Sequence, residues 1–270
     1  MIKTAHEAPI SIFSKVQEIT DIDYALVHLF EESKAYFNLF TTALEKGREV
    51  ILDNSIFELG VAFDPESYAD WIMRLNPTWF IIPDVLEDRA GTVNNLLEWV
   101  KKYDALPGKT IGVVQGNTFE ETLACYQEIE PYVDMVAISF DYCWYEEVFP
   151  TGNKLVSWML GRQYLIQELE LRGIVNTSKP HHLLGCSLPQ EFIEYANTDW
   201  IYSVDTSNPV VAGMKNKMYK RVGDGYGLDK KPSEKLFTMI HSDVSREQWS
   251  NIEYNVNAFY FNLRKSDDQR

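Results

Sequence analysis

Trp200-Ile201-Tyr202-Ser203-Val204-Asp205-Thr206-Ser207-Asn208-Pro209 is the stretch on which the fold turns. The apolar run between Trp200 and Val204 reads as a buried strand. It ends on a carboxylate, and Pro209, which has no N–H to give, stops any continuation. A buried parallel strand that delivers an Asp at its C-terminal end is how α/β barrels place reactive groups at one mouth. An isolated Asp after a strand is also an ordinary turn residue. The weight of the reading comes from the same device recurring upstream.

Working outward from that strand, residues 24–30 read as a first strand and are followed by a helix over about 32–46, with Gly47 as its stop. Residues 49–52 form a second strand ending at Asp53, and Pro65 starts the helix after it. A third strand, 79–82, leads to Pro83-Asp84; a fourth, 109–114, to Gln115-Gly116; a fifth, 135–140, to Asp141. Residues 182–184 make a sixth strand ending at Gly185-Cys186, and the Asp205 stretch is the seventh. The eighth is expected at 236–240, and a closing helix over 246–264. Residues 10–13 are a short strand or an N-terminal plug. Short apolar strands alternating with helices imply a parallel sheet covered on both faces. In 270 residues without a linker or internal repeat, that is one (β/α)8 barrel of the TIM type, a single domain over 1–270. No G-x-G-x-x-G follows the first strand, so a dinucleotide fold has no support.

At 45% hydrophobic residues the chain can bury a sizeable core, yet no apolar run is long enough to span a membrane, and the first residues lack the apolar segment of a signal peptide. Cys125, Cys143 and Cys186 are odd in number and far apart, which fits neither a disulfide framework nor a zinc signature. These features imply a cytoplasmic protein in a reducing compartment. A net charge of −15 argues against nucleic acid until its distribution is read. Lys215, Lys217, Lys220, Arg221, Lys230, Lys231 and Lys235 crowd into one segment just after Asp205. The segment reads equally as a solvated loop or as a polyanion contact.

Asp53, Asp84, Gln115, Asp141, Gly185 and Asp205 all follow apolar strands, so a barrel gathers them at one mouth. Carboxylates in one cleft raise one another's pKa and suit acid/base or nucleophilic work at a sugar carbon; they can also ligate a divalent metal. Residue by residue, each of these Asp is as well explained as a turn or cap; their recurrence at one edge is not.

The ordered set resembles the tRNA-guanine transglycosylases and their compact relatives of phages and bacteria that act on DNA. The family's D-S-G-G-F-Q block is similar to Asp53-Asn54-Ser55-Ile56-Phe57-Glu58, and its V-Q-G-G to Val114-Gln115-Gly116-Asn117. Its Leu-Met-Gly resembles Leu183-Leu184-Gly185, with Pro189 beyond, and its nucleophile block resembles Asp205 with Pro209 and Ala212-Gly213. The chain departs from the family in three places. Ser139-Phe140 stands where the family has Gly-Gly, and Val210-Val211 where it has Thr-Arg. The C-terminal zinc subdomain is missing, with His241 alone and no paired cysteines. That loss points to the DNA-acting branch.

The resemblance implies replacement of guanine in DNA, or alternatively in tRNA, by a 7-deazaguanine base of the preQ0 type, with no cofactor and no metal. It implies Asp205 as the nucleophile that forms a glycosyl ester and Asp53 as the carboxylate that handles the base's proton. It makes Asp84 the acceptor for the base's donors, Gln115 the donor to its carbonyl, Phe57 a stacking cover, and Ser139, Asp141 and Gly185 parts of the pocket. Lys215, Lys217, Lys220 and Arg221 would hold the phosphate backbone around a nucleotide drawn out of its stack. His181 and His182, at the start of their strand, are expected at the far end of the barrel, and Cys186 as a small apolar filler. A metal-dependent hydrolase built on Asp53, Asp84, Asp141 and Asp205 is the rival enzyme, and a base-binding barrel without turnover the rival outside catalysis. A homodimer, or a partner protein that brings the polynucleotide, stays open.

Overall fold

Eight parallel strands form the sheet of the computed structural model, which describes residues 1–264; the last six residues of the expected single domain lie outside it. They are β1 (Lys3–Ala5), β2 (Asp23–Leu26), β3 (Val50–Asp53), β4 (Trp79–Ile81), β5 (Lys109–Val113), β6 (Met135–Ser139), β7 (His181–Leu184) and β8 (Ile201–Asp205). Their order is β1-β8-β7-β6-β5-β4-β3-β2, every hydrogen-bonded neighbour parallel. The ring closes between the ends of that row: Ala5 bridges to Ile22, and the N–H groups of Asp21 and Ile22 donate to the Thr4 carbonyl at 3.0 and 3.1 Å. The architecture is the expected (β/α)8 barrel of the TIM type, with helices between the strands.

The strands read as strands because both of their faces are covered. Val50, Ile51 and Leu52 are all buried, one face turned into the barrel and the other onto the helices, so alternation disappears and a continuous apolar run remains. The helices begin where the chain offers an acceptor for their unpaired N–H groups. Asp64 caps Ser67 at 2.9 Å with Pro65 behind it, Asp88 caps Gly91 at 3.0 Å, and Thr118 caps Glu121 at 3.2 Å.

Three expectations are corrected. The stave taken as eighth, 236–240, is instead a short 3-10 helix, Leu236–Met239, and the missing stave is β1. Three residues are too few for apolar periodicity to register, and Lys3 belongs to no apolar pattern. Asp205 therefore ends the eighth strand. Residues 10–13 are a 3-10 turn, Ile10–Ile12, that Pro9 precedes and that runs into the helix Phe13–Gln17. The strand expected over 24–30 stops at Leu26, and His28–Glu32 is already helical. The helix expected over about 32–46 is present as Lys34–Glu45, opened by the Ser33 hydroxyl accepting from Tyr36 N–H at 3.2 Å.

After β8 come the short helix Asn208–Met214 and an antiparallel hairpin, β9 (Lys220–Val222) and β10 (Gly225–Gly227). The chain then returns across the mouth of the barrel as a strap over 228–240, before the closing helix Arg246–Asn262. That helix starts with a complete Ser245/Gln248 capping box. Among the described residues no helix is long and apolar enough to cross a membrane.

Candidate active site at the mouth of the barrel

The C-terminal ends of the strands surround a cavity of about 280 Å³. Asp53, Phe57, Asp84, Gln115, Ser139, Asp141, Gly185 and Asp205, the side chains expected to gather, all line it. Glu7, Glu58, Lys231 and Lys235 line it as well and were not anticipated as site residues.

Asp205 is clamped on one side. Its Oδ1 accepts the Gly185 N–H at 3.1 Å and lies 3.0 Å from His182 Nε2. Among the described residues Oδ2 has no hydrogen-bond partner, so one carboxylate oxygen is held and the other is left to the cavity. His182 is fixed in turn by its Nδ1, 2.7 Å from Ser203 Oγ, and by the Tyr24 ring stacked 6.0 Å away. The expectation that both histidines lie far from the site fails for His182. Successive side chains of a strand point to opposite faces. His181 points outward, 2.8 Å from the Tyr126 hydroxyl, and His182 therefore points into the barrel. β7 has only four residues, His181–Leu184, which leaves its second residue within reach of the mouth.

The Gly185 amide is aimed by a buried ion pair that the sequence did not reveal. Gly185 takes φ +64°, and a Cβ there would come within 2.5 Å of Phe140 Cδ1, so only glycine fits. Arg162, fully buried, reaches in from the helix Lys154–Leu171; Nη1 donates to the Leu184 carbonyl at 2.7 Å and Nη2 to the Gly185 carbonyl at 3.0 Å. Its Nε donates to Glu191 Oε1 at 2.6 Å, which also accepts the Tyr195 hydroxyl at 2.8 Å. The guanidinium fork thus fixes the peptide that offers its N–H to Asp205.

Across the barrel, four staves from β8, stands the group after β4. Asp84 Oδ1 accepts Asn54 Nδ2 at 2.8 Å, and Oδ2 accepts Gln115 Nε2 at 2.6 Å. Burial pushes the Asp84 carboxyl above its ordinary range, and the two carboxamides oppose that by favouring the anion. Gln115 Oε1 accepts the Glu87 N–H at 3.0 Å, which sets its amide with nitrogen towards Asp84. The expected direct contact of Gln115 with a base carbonyl is therefore left to the second proton of that nitrogen.

A third group lies on β3 and beyond. Tyr24 donates its hydroxyl to one oxygen of Asp53, and the Ser55 N–H donates to the other. Burial, with Glu58 next in effect, holds the Asp53 carboxyl well above its usual range. Glu7, beyond β1, is pushed the same way, first by burial and then by Glu58. Ser139 donates its hydroxyl to Asp141 Oδ1 at 2.7 Å, and burial raises Asp141. Phe57, 45% exposed, sits at the rim 5.8 Å from the Phe140 ring. Cys186 is buried, and its thiol is pushed up to about 12, so it stays an inert filler.

The basic segment divides in two. Lys215, Lys217, Lys220 and Arg221 are exposed on the hairpin side, outside the cavity. Lys215 pairs with Glu234 at 2.8 Å and Lys220 with Asp229 at 3.6 Å, while the Arg221 guanidinium lies 4.9 Å over the Tyr226 ring. Lys231 turns inward instead; its Nζ donates to the Cys186 carbonyl at 2.7 Å and rests 4.6 Å over Phe140. Among the described residues, no three His, Cys, Asp or Glu side chains are grouped to hold a metal ion. No protein-family model matches the chain, and no curated protein does.

Proposed function

We propose that the barrel is a base-exchange transglycosylase that replaces guanine in DNA with a 7-deazaguanine derivative through an ester on Asp205. The observation that carries this reading is the asymmetry of Asp205, with Oδ1 held by Gly185 and His182 and Oδ2 open to a cavity faced by Asp84, Asn54 and Gln115. A nucleophile at C1′ needs one oriented free oxygen on the face opposite the departing base. A guanine-like edge offers N–H donors, and Asp84 keeps lone pairs beyond the two that Asn54 and Gln115 occupy. The Asp53–Glu58 pair supplies the proton traffic, and Phe57 at the rim can cover a base drawn out of its stack.

Asp205→Asn is expected to fold and to lose exchange by several orders of magnitude, because an amide cannot form and release the ester. Intact mass after incubation with an oligodeoxynucleotide or a tRNA, without an acceptor base, checks this. An adduct that survives in Asp205→Asn or maps to Asp141 sinks the assignment, and an adduct with tRNA alone moves the substrate from DNA to tRNA.

A further inference from the structure

We propose that Glu58, and not Asp53, carries the proton to the departing base and takes it back from the incoming one, Asp53 being the fixed carboxylate beside it. The assignment rests on the base-exchange reading above.

Asp53 is poorly free to move. Its two oxygens each accept a hydrogen bond, from the Tyr24 hydroxyl and from the Ser55 N–H. Ser55 takes φ +59°, a left-handed turn that folds its own N–H back onto the carboxylate two residues earlier. Shuttling a proton on Asp53 would break these bonds at each turnover. Glu58 has the opposite character. It sits on the one-turn helix Ile56–Leu59, lines the cavity, and accepts no hydrogen bond from the side chain of another described residue. Its longer side chain can swing between a base and the pocket wall.

The groups that face Glu58 are Glu7 beyond β1, Asp53 on β3, Asp205 on β8, the Tyr36 phenol, and Lys235 on the strap. Of these, Asp205 raises Glu58 and Lys235 lowers it, while Glu58 in turn raises Glu7 and Asp53. Burial is the largest influence and, with Asp205, outweighs the hydrogen bond from Glu58's own backbone N–H and the Lys235 ammonium to bring Glu58 up to about 7. An acid poised there can both give and take a proton near neutral pH.

The balance closes over the two half-reactions. In the first, an Asp205 oxygen bonds C1′ as the C1′–N bond breaks; the departing guanine keeps that electron pair and takes the proton of the Glu58 carboxyl. In the second, the incoming base gives its ring N–H proton to the Glu58 carboxylate and its nitrogen bonds C1′. The ester oxygen of Asp205 leaves with the C–O pair as that nitrogen bonds.

The test is single-turnover adduct formation on a guanine-containing oligodeoxynucleotide across about pH 5.5–8.5, for the unsubstituted protein, Glu58→Gln and Asp53→Asn. For the unsubstituted protein the rate should be level below about 7 and fall tenfold per pH unit above it, as the acid form is lost. Glu58→Gln should be slower by about 10²–10⁴-fold and should lack that fall. Asp53→Asn should keep the fall, since the carboxyl that holds the proton is still Glu58. Calorimetry with the free base accompanies each variant, and Glu58→Gln should bind it as the unsubstituted protein does. A fall retained in Glu58→Gln and lost in Asp53→Asn hands the proton to Asp53 and overturns the proposal. If the unsubstituted protein forms no adduct and exchanges no labelled base with DNA or tRNA, the base-exchange reading fails and this assignment falls with it.

Discussion

At the scale of single residues, the cavity divides its work between clamped and open atoms, and substitutions separate the two. Asp84→Ala leaves Asn54 and Gln115 without their shared acceptor and leaves a base's donors unpaired. Each lost pairing costs roughly 1–3 kcal/mol, so binding of a free 7-deazaguanine should fall by two orders of magnitude or more by calorimetry. Binding equal to the unsubstituted protein would move base recognition elsewhere. Arg162→Lys keeps the charge but loses the fork that grips the Leu184 and Gly185 carbonyls. It should lower the rate of adduct formation while base binding holds, since the Gly185 N–H orients Asp205 and touches nothing else in the pocket. A parallel loss of both would make Arg162 merely part of the packing. Asp53, Asp84, Gln115 and Asp205 were legible because each follows an apolar run that ends abruptly. Arg162 was not, because a lone Arg in a helix without a clear apolar face looks the same whether it faces solvent or the core. Glu7 was hidden with its strand, and Lys231 was hidden among surface lysines.

Elements tell a similar story. Seven of the eight staves are visible as apolar runs between helices, and Pro65 marks the start of the helix after Asp53. The eighth is expected at 236–240 because that segment is apolar; its Leu236 instead belongs to the strap and is buried against Val210, Val211 and Ile252 rather than in the sheet. The hairpin β9–β10 was read only as a basic loop, since Gly223 and Asp224 at its turn signal a bend without saying what it joins. Reversing Lys217, Lys220 and Arg221 to Glu on this element should weaken binding to a polynucleotide and flatten its salt dependence, with free-base binding intact. A salt titration with the same slope as the unsubstituted protein would take the hairpin out of any phosphate contact.

For the molecule as a whole, the crowd of carboxylates sets a pH dependence of stability. Glu7, Asp53, Glu58, Asp84 and Asp141 are all held above their ordinary range in the folded state. The folded chain therefore binds more protons than the unfolded one between the ordinary carboxylate value and the raised one. Their contribution is fully present below that ordinary value and is lost as pH rises through the raised values, for Glu58 about 7. A net charge of −15 adds self-repulsion in the same direction. The thermal midpoint should be higher near pH 5.5 than near pH 8, by about 2–4 °C for each kcal/mol involved, and the difference should shrink in Glu58→Gln. A midpoint that rises with pH over this window would mean these groups are ionised at little cost. The alternation of strand and helix made the barrel legible at this scale; its point of closure was not, because closure depends on a three-residue strand far from its partner in sequence.

That closure also sets a timetable for biosynthesis. Lys3 is registered against Ser203, so the first stave to leave the ribosome has no neighbour on that side until some two hundred residues later. At roughly 5–20 residues per second the wait is on the order of 10–40 s. Throughout it, the nascent sheet is an open curl with β1 at one edge and the newest strand at the other. Both edges offer unpaired N–H and C=O groups to any passing strand. The half-made protein is thus the form most in need of a chaperone, and the last stave made is the one that ends its exposure.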